Sequence, residues 1–397
     1  MCPGVSLSGV MRVCFETFGC RLSKAEALQE EAEYLAAGWQ VVTKHSEADL
    51  FIVRGCSVTA RAQRECERLV EHLRRHYPNV RVELRGCIEG AKPKANPISS
   101  KVDFSAAVST RTARAYLKVQ DGCSGKCSFC IVPTFRGVSR SEDFNLVMDR
   151  AKCFIDAGYH EIVVVGCNLS LYASLGRRLP DLLSALGELG AANDCRIRLG
   201  SLEPGDCALD VVKVMAEQPS ICNFLHIPVQ SGCDSILKKM NRPYTIESVS
   251  SIIEEAERLM PSLGLGCDII TGFPGESELD FKATKTFVER HPFNNVHVFP
   301  YSERPGTAAA EMRVQIPSDW RSARAKQIAS IVKTKRRLFA KGFVGKVIEV
   351  LIENEKENSG WTSEYLKCTL VGKAKRKEKY HAFVLRAHDD ILSARLR

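Results

Sequence analysis

Apolar and polar residues alternate from Met11 to Thr17, and the pattern breaks at Gly19-Cys20. Alternation with period two predicts a half-buried strand. A helical pattern follows from Ser23 to about Ala37. Then come a β-like run over Asp49–Val53, an arginine-rich helical stretch over 60–76, and a third strand over Val80–Leu84. Strand, turn and helix in rotation predict a small parallel α/β domain spanning residues 1–107. All three strands end in Gly-Cys, at Cys20, Cys56 and Cys87. The carboxyl ends of parallel strands share one edge, so these thiols are expected to converge there. The glycines would let backbone approach a ligand closely. Three unrelated buried cysteines are the alternative.

A second series begins with the strand-like Tyr116–Gln120. Five more β runs follow: Glu161–Val165, Arg196–Leu199, Phe224–Ile227, Leu265–Ile270 and Val296–Phe299. Helical stretches lie near 144–157, 179–189, 206–217, 232–240, 245–260 and 276–290. Six βα units predict a partial (β/α)6 parallel barrel over residues 108–340, short of the eight that close a full one. The loops after the strands are polar or glycine-bearing, and in such a barrel they share one mouth where ligands bind.

The loop after the first of these strands carries Cys123, Cys127 and Cys130 at C-x3-C-x2-C spacing. Three thiolates can hold one inorganic centre, but a closed zinc site or a fully ligated cubane needs a fourth ligand. Either that ligand comes from elsewhere, or one iron of a [4Fe-4S] cluster stays open. No fourth zinc ligand stands nearby at knuckle-like spacing.

In the last segment, Ser318 is placed to cap a helix reaching about Lys341. Ile328, Ile331, Val332 and Leu338 recur on it at helical spacing, and Lys333, Lys335, Arg336 and Arg337 make one end basic. After Gly342 short alternating strands predict a small β-barrel over residues 341–397. Lys373, Lys375, Arg376, Lys377 and Lys379 form a basic run on one of its loops. That run suits a nucleic-acid backbone, or is a solvated loop. With no long linker, the barrel is expected to pack near the catalytic mouth.

Composition narrows the picture. The net charge of +9 biases the chain of 397 residues mildly toward a polyanionic partner. Seventeen cysteines is a high and odd number. It fits a reducing cytosol better than a secreted disulfide scaffold. Cys153, Cys195, Cys222 and Cys267 sit in apolar runs as small core residues. No apolar run reaches the roughly 18 residues of a membrane span, and the amino terminus shows no signal-peptide pattern. A cytoplasmic location is expected.

Three thiolates at a barrel mouth resemble the radical S-adenosylmethionine enzymes. Phe129, just before Cys130, is typical of them, in a stretch lying against the adenine. The whole chain resembles the methylthiotransferase family within that class. The stretches that carry the likeness are Phe18-Gly19-Cys20, Gly55-Cys56-Ser57-Val58-Thr59, Gly86-Cys87, Lys118 to Cys123, His226 to Gly232, Met240 to Thr245, Asp268 to Glu276 and Phe299 to Ser302. Cys20-Arg21-Leu22 with Glu26, and Tyr301 to Thr307, look most like the branch acting on N6-threonylcarbamoyladenosine in tRNA. The isopentenyladenosine branch and the ribosomal-protein branch are the nearest rivals.

The resemblance implies α/β architecture ending in a TRAM-like RNA-binding barrel. It also implies placement of a 2-methylthio group on the adenosine at position 37, 3′ to the anticodon. Cys123, Cys127 and Cys130 would hold the radical cluster, and Cys20, Cys56 and Cys87 an auxiliary [4Fe-4S] cluster. Phe129, Asn168, Glu203 and Arg242 would contact S-adenosylmethionine. Implied partners are tRNA, a flavodoxin- or ferredoxin-like electron donor and a sulfur source, with the protein a monomer. A non-catalytic, metal-stabilised RNA-binding protein is the reading from another class. The chain departs from the family in two places. Thirty-five residues separate Cys87 from Cys123, with a shortened connection from about Ala107 to Ala115, and Ser23 stands where asparagine is usual.

Overall fold

The amino-terminal strands pair side by side and in parallel, as strand, turn and helix in rotation predict, with one more strand than the pattern reveals. In this computed structural model the described residues are 10–89 and 112–397. The sheet runs in the order Gln40–Val42, Arg12–Thr17, Leu50–Cys56, Arg81–Cys87. Gln40–Val42 spans three residues, too few to show a period. The helices Arg21–Ala36 and Ala60–His76 connect the strands, and Thr59 Oγ1 caps the second by accepting from the Ala62 N–H at 3.2 Å. Phe51, Val53, Cys66 and Leu73 form the core between sheet and helix. This unit comprises the described residues 10–89 with Thr134–Arg136. The shortened connection falls within 90–111 and lies outside the described residues.

The other unit holds the described residues from 112 on, apart from Thr134–Arg136. Its barrel strands are Ala115–Lys118, Glu161–Val165, Arg196–Leu199, Phe224–Gln230, Gly264–Thr271 and Asn295–Pro300. They form two three-stranded parallel sheets rather than one continuous one. Between the third and fourth strands only two bridges form, Ile197 with Ile221 and Ser201 with His226. On its other edge the fourth strand pairs with Gly264–Thr271, with a register shift between Ile227 and Gln230 around Pro228, which lacks an N–H. The helices Phe144–Asp156, Leu179–Ala192, Ala208–Glu217, Asp234–Lys239, Ile246–Leu259 and Glu278–Arg290 follow the expected stretches closely.

The long helix Ser318–Lys341 forms, but Ser318 does not cap it. Pro317, with φ −55° and ψ 145°, takes the cap position and Ser318 is already helical. Ile328 and Val332 are buried, whereas Leu338 is 62% exposed. Much of the basic end is spent on packing. Lys335 Nζ donates to the carbonyls of Val288, Glu289 and His291 at 2.7, 2.6 and 2.5 Å, closing the end of helix Glu278–Arg290. Arg336 and Arg337 pair with Asp390 and Asp389 at 2.5 Å each.

The carboxy-terminal barrel is closed by five strands: Val347–Asn354, Ser359–Thr362, Lys367–Val371, Lys379–His388 and Ile391–Leu396. Ser359–Thr362 was not legible as a strand, because Gly360 interrupts it. The barrel packs away from the mouth, contrary to expectation. Its loop lies against the amino ends of the radical-barrel strands. Arg196 Nη2 donates to Trp361 O at 2.7 Å, and Arg198 donates to Thr362 O at 2.9 Å and Ser363 O at 3.0 Å. Tyr365 packs against Phe224, ring centroids 4.8 Å apart and tilted by 31°. These arginines also bond the fully buried Glu161, at 2.6 and 2.7 Å. A buried carboxylate and two guanidinium groups need partners at every polar atom. The loop carbonyls supply them, which draws the barrel to this end.

Candidate active site

Gln120 ties the cysteine loop to the barrel. Its Nε2 donates to Gly122 O at 2.7 Å and to Ser139 Oγ at 2.9 Å, and its Oε1 accepts from the Asn168 N–H at 2.8 Å. Gly122 adopts φ +67°, and a Cβ there would lie 2.0 Å from Val138 O. Only glycine fits this turn. The other end of the loop is fastened to the end of helix Asp234–Lys239. Ser128 Oγ donates to Lys239 O at 2.8 Å, and Asn241 Nδ2 to Lys126 O at 2.7 Å.

The loop so held brings its thiols together. A Cβ on Gly125 would lie 3.2 Å from Cys123 Sγ and 3.9 Å from Cys127 Sγ. Burial pushes the Cys130 thiol up to about 11, with the neighbouring cysteines adding to the shift. Burial also raises Cys127, against the opposing pull of Arg242. Clustered, half-buried thiols that resist ionisation alone fit a site completed by a cationic centre, which deprotonates its ligands.

Arg242 and Glu203, both expected near the cofactor, form a buried ion pair. Arg242 Nη1 donates to Cys127 Sγ at 3.0 Å and Nε to Tyr244 Oη at 2.6 Å. Phe129 packs edge-on to Phe273 at 6.4 Å, in the apolar cluster of Ile236, Ile270 and Tyr301. Asn168 Oδ1 is buried without a hydrogen-bond partner. Cys167 Sγ lies 3.6 Å from Asp121 Oδ1, beside the same loop.

In the amino-terminal unit, Cys56 and Cys87 are register partners on adjacent parallel strands, as are Gly55 and Gly86. Cys20 follows the neighbouring strand. Gly19, at φ +107°, would bring a Cβ within 3.5 Å of Cys56 Sγ. Gly86, at φ +92°, would bring one within 2.6 Å of Gly55 O. Burial raises the Cys87 thiol, and the nearby Cys20 and Cys56 sulfurs add to that. Behind the site the buried Arg54 pairs with Glu26, and with Glu30 at 2.7 Å. The convergence expected from the three Gly-Cys endings is present, and this donor set too fits a cluster with three protein ligands.

Sequence reasoning missed a polar group inside the barrel. His226 Nε2 and His297 Nδ1 each lie 3.1 Å from Asp268 Oδ1. His226 and Asp268 stood inside stretches quoted for the resemblance, but nothing in one sequence shows that strands four to six bring them to His297.

A six-stranded parallel barrel with a three-thiol loop at the carboxyl end of its first strand defines a radical S-adenosylmethionine protein. Residues 117–288 match the Radical SAM superfamily, and residues 12–107 match Uncharacterized protein family UPF0004. The chain is 30% identical to the threonylcarbamoyladenosine tRNA methylthiotransferase MtaB of Thermotoga maritima, over 91% of each chain. It is 29% identical to the MtaB of Bacillus subtilis, over 91% of this chain and 90% of that one. It is also 30% identical to a tRNA-2-methylthio-N(6)-dimethylallyladenosine synthase of Cereibacter sphaeroides, over 87% of this chain and 88% of that one. Among solved structures, the radical S-adenosylmethionine methyltransferase TsrM of Kitasatospora setae, with cobalamin and a [4Fe-4S] cluster bound, shares the fold. Its TM-score is 0.55 at 12% identity, covering 76% of this chain and 77% of that one.

The chain belongs to the radical S-adenosylmethionine methylthiotransferase family. The cofactors of that family are S-adenosylmethionine and two [4Fe-4S] clusters. Among the described residues no helix is long and apolar enough to cross a membrane.

Proposed function

We propose that this enzyme adds a 2-methylthio group to N6-threonylcarbamoyladenosine at position 37 of tRNA. The observation that supports this reading is the pairing, in one chain, of two converged thiol triads, each one ligand short of a closed site. Cys123, Cys127 and Cys130 hold the radical cluster, and Cys20, Cys56 and Cys87 hold the auxiliary one. When bound, the clusters and S-adenosylmethionine supply the one-electron chemistry and the sulfur that an aromatic C–H bond of no useful acidity demands.

The chain's own residues position and shield. Arg242 places positive charge on Cys127 Sγ, and Glu203 fixes the guanidinium. Asn168 offers its unpartnered Oδ1 as an acceptor for the amino group of S-adenosylmethionine. Phe129, backed by Phe273, walls off the adenine side from water.

Residues 1–107 serve as the auxiliary-cluster domain, 108–340 as the radical domain and 341–397 as a TRAM-like RNA-binding barrel. Of its basic run, Lys373 and Lys375 are exposed. Lys379 is committed to Asp194 and Glu349 at 2.8 and 3.1 Å, and Lys377 lies over the Tyr159 ring at 4.3 Å. The first two are therefore the phosphate contacts. A cytosolic monomer drawing on a flavodoxin- or ferredoxin-like donor and a separate sulfur source completes the reading.

Mass spectrometry of tRNA nucleosides from a deletion strain tests it. Loss of 2-methylthio-N6-threonylcarbamoyladenosine is expected. An unchanged level, with loss of the isopentenyl counterpart instead, would move the enzyme to the dimethylallyladenosine relatives.

A further inference from the structure

The group His226, Asp268 and His297 occupies three neighbouring strands of the radical barrel. Asp268 is the register partner of His297, and His226 that of Gly266, two residues before Asp268. Thr271 Oγ1 donates to Arg321 O on the long outer helix at 3.0 Å. Alternation along the strand therefore turns Asp268 away from that helix, to the concave side. Burial raises the Glu203 carboxyl against the pull of Arg242, the nearby Asp268 adds to the rise, and Glu203 holds the arginine on Cys127.

The group is built rather than incidental. A Cβ on Gly266 would come 2.6 Å from His226 Nδ1, so only glycine leaves room for the imidazole. Asp268 Oδ1 accepts from both histidines at 3.1 Å. Burial pushes the Asp268 carboxyl up, but the two imidazoles outweigh it and hold it well below the usual carboxylate range. His226 is buried, whereas the His297 side chain is 51% exposed. Phe299, on the same face two residues on, is 41% exposed and meets the His297 ring at 6.3 Å. A half-exposed ring and a fixed imidazole side by side inside a barrel suit a planar base bearing a polar substituent.

The relatives act on adenosines with two kinds of N6 substituent. A dimethylallyl group has no hydrogen-bonding atoms. Seated on His297 and Asp268 it would strip water from both and return nothing. A threonylcarbamoyl group brings N–H, carbonyl, hydroxyl and carboxylate partners.

We propose that His297 contacts the polar N6 substituent of the substrate adenosine, with Asp268 and His226 positioning it, and that this subsite sets the choice of tRNA. The proposal rests on the function put forward above. The test uses the full chain with both clusters reconstituted, given tRNA bearing N6-threonylcarbamoyladenosine or isopentenyladenosine in competition.

The substitution His297→Phe should lower kcat/KM for the threonylcarbamoyl tRNA about 10–100-fold, the cost of an unmet polar group. Iron content should hold, and kcat/KM for the isopentenyl tRNA should stay or rise as the unmet imidazole is removed. His297→Gln should recover part of the loss, and Asp268→Asn should shift the ratio in the same sense but less. An unchanged ratio in His297→Phe, or an equal loss on both tRNAs, overturns the subsite. A wild-type enzyme that leaves the threonylcarbamoyl tRNA untouched defeats the function itself, and shows this before any variant is made.

Discussion

Arg242 Nη1 donates to Cys127 Sγ at 3.0 Å while the same guanidinium pairs with Glu203. One buried cation thus serves a carboxylate from the loop after the third strand and a sulfur from the loop after the first. Arg242→Met leaves Glu203 buried and unpaired, which costs about 3–5 kcal/mol. Thermal unfolding should show the loss, and adding Glu203→Leu should restore much of it. A double variant no more stable than the single would show that the pair is not what holds these loops.

Cys127→Ala should remove one cluster and spare the other. Iron bound after anaerobic reconstitution falls from about eight per chain to about four. Reductive formation of 5′-deoxyadenosine stops, while absorbance from the amino-terminal cluster persists. Zinc in place of iron in the wild type would sink the redox reading of both triads.

Gly122→Ala tests the turn before the cysteines. The added Cβ meets Val138 O at 2.0 Å, and φ is +67°. A main-chain clash at a left-handed position cannot relax by a rotamer change, so a loss of about 1–3 kcal/mol and of radical-cluster loading is expected. Circular dichroism melting and iron content read the two effects separately.

Acid should loosen the floor of the radical barrel. Burial raises the Glu161 carboxyl, but Arg196, Arg198 and Arg114 outweigh it and drive it far below its ordinary value. A carboxyl depressed in the folded state stabilises the fold above its unfolded pKa of about 4.3. That contribution declines as pH falls from about 5 downward, and it is complete at neutral pH. Glu161→Gln should remove the downward slope of melting temperature between about pH 5 and pH 3, and should lower stability at pH 7 by about 3–5 kcal/mol.

Much of the barrel was legible because its strands are apolar runs with periodic helices between them. Helix Phe144–Asp156 and strand Glu161–Val165 fall where the pattern puts them. The thiol triads were legible because cysteine spacing and a Gly-Cys ending survive in one dimension. Other features depend on the third. The floor was invisible because Arg196, Arg198 and Glu161 look like strand-end charges until Trp361 and Ser363 bring their carbonyls. Ser318 is already helical because the extended ψ of 145° at Pro317 makes that residue the cap, which sequence alone does not show. His297 carries no local signal for this role, since its polar partner Asp268 is 29 residues away and the neighbouring ring of His226 lies on another strand.

The segment from Trp361 to Tyr365, the end of strand Ser359–Thr362 and the turn after it, gives the carboxy-terminal barrel a second identity. Its carbonyls complete the solvation of two arginines that the radical barrel has already buried. A chain cut after the long helix would leave those cations facing water through an open base. The barrel is therefore not exchangeable cargo. A replacement taken from another protein would have to bring three carbonyl oxygens into register with Arg196 and Arg198.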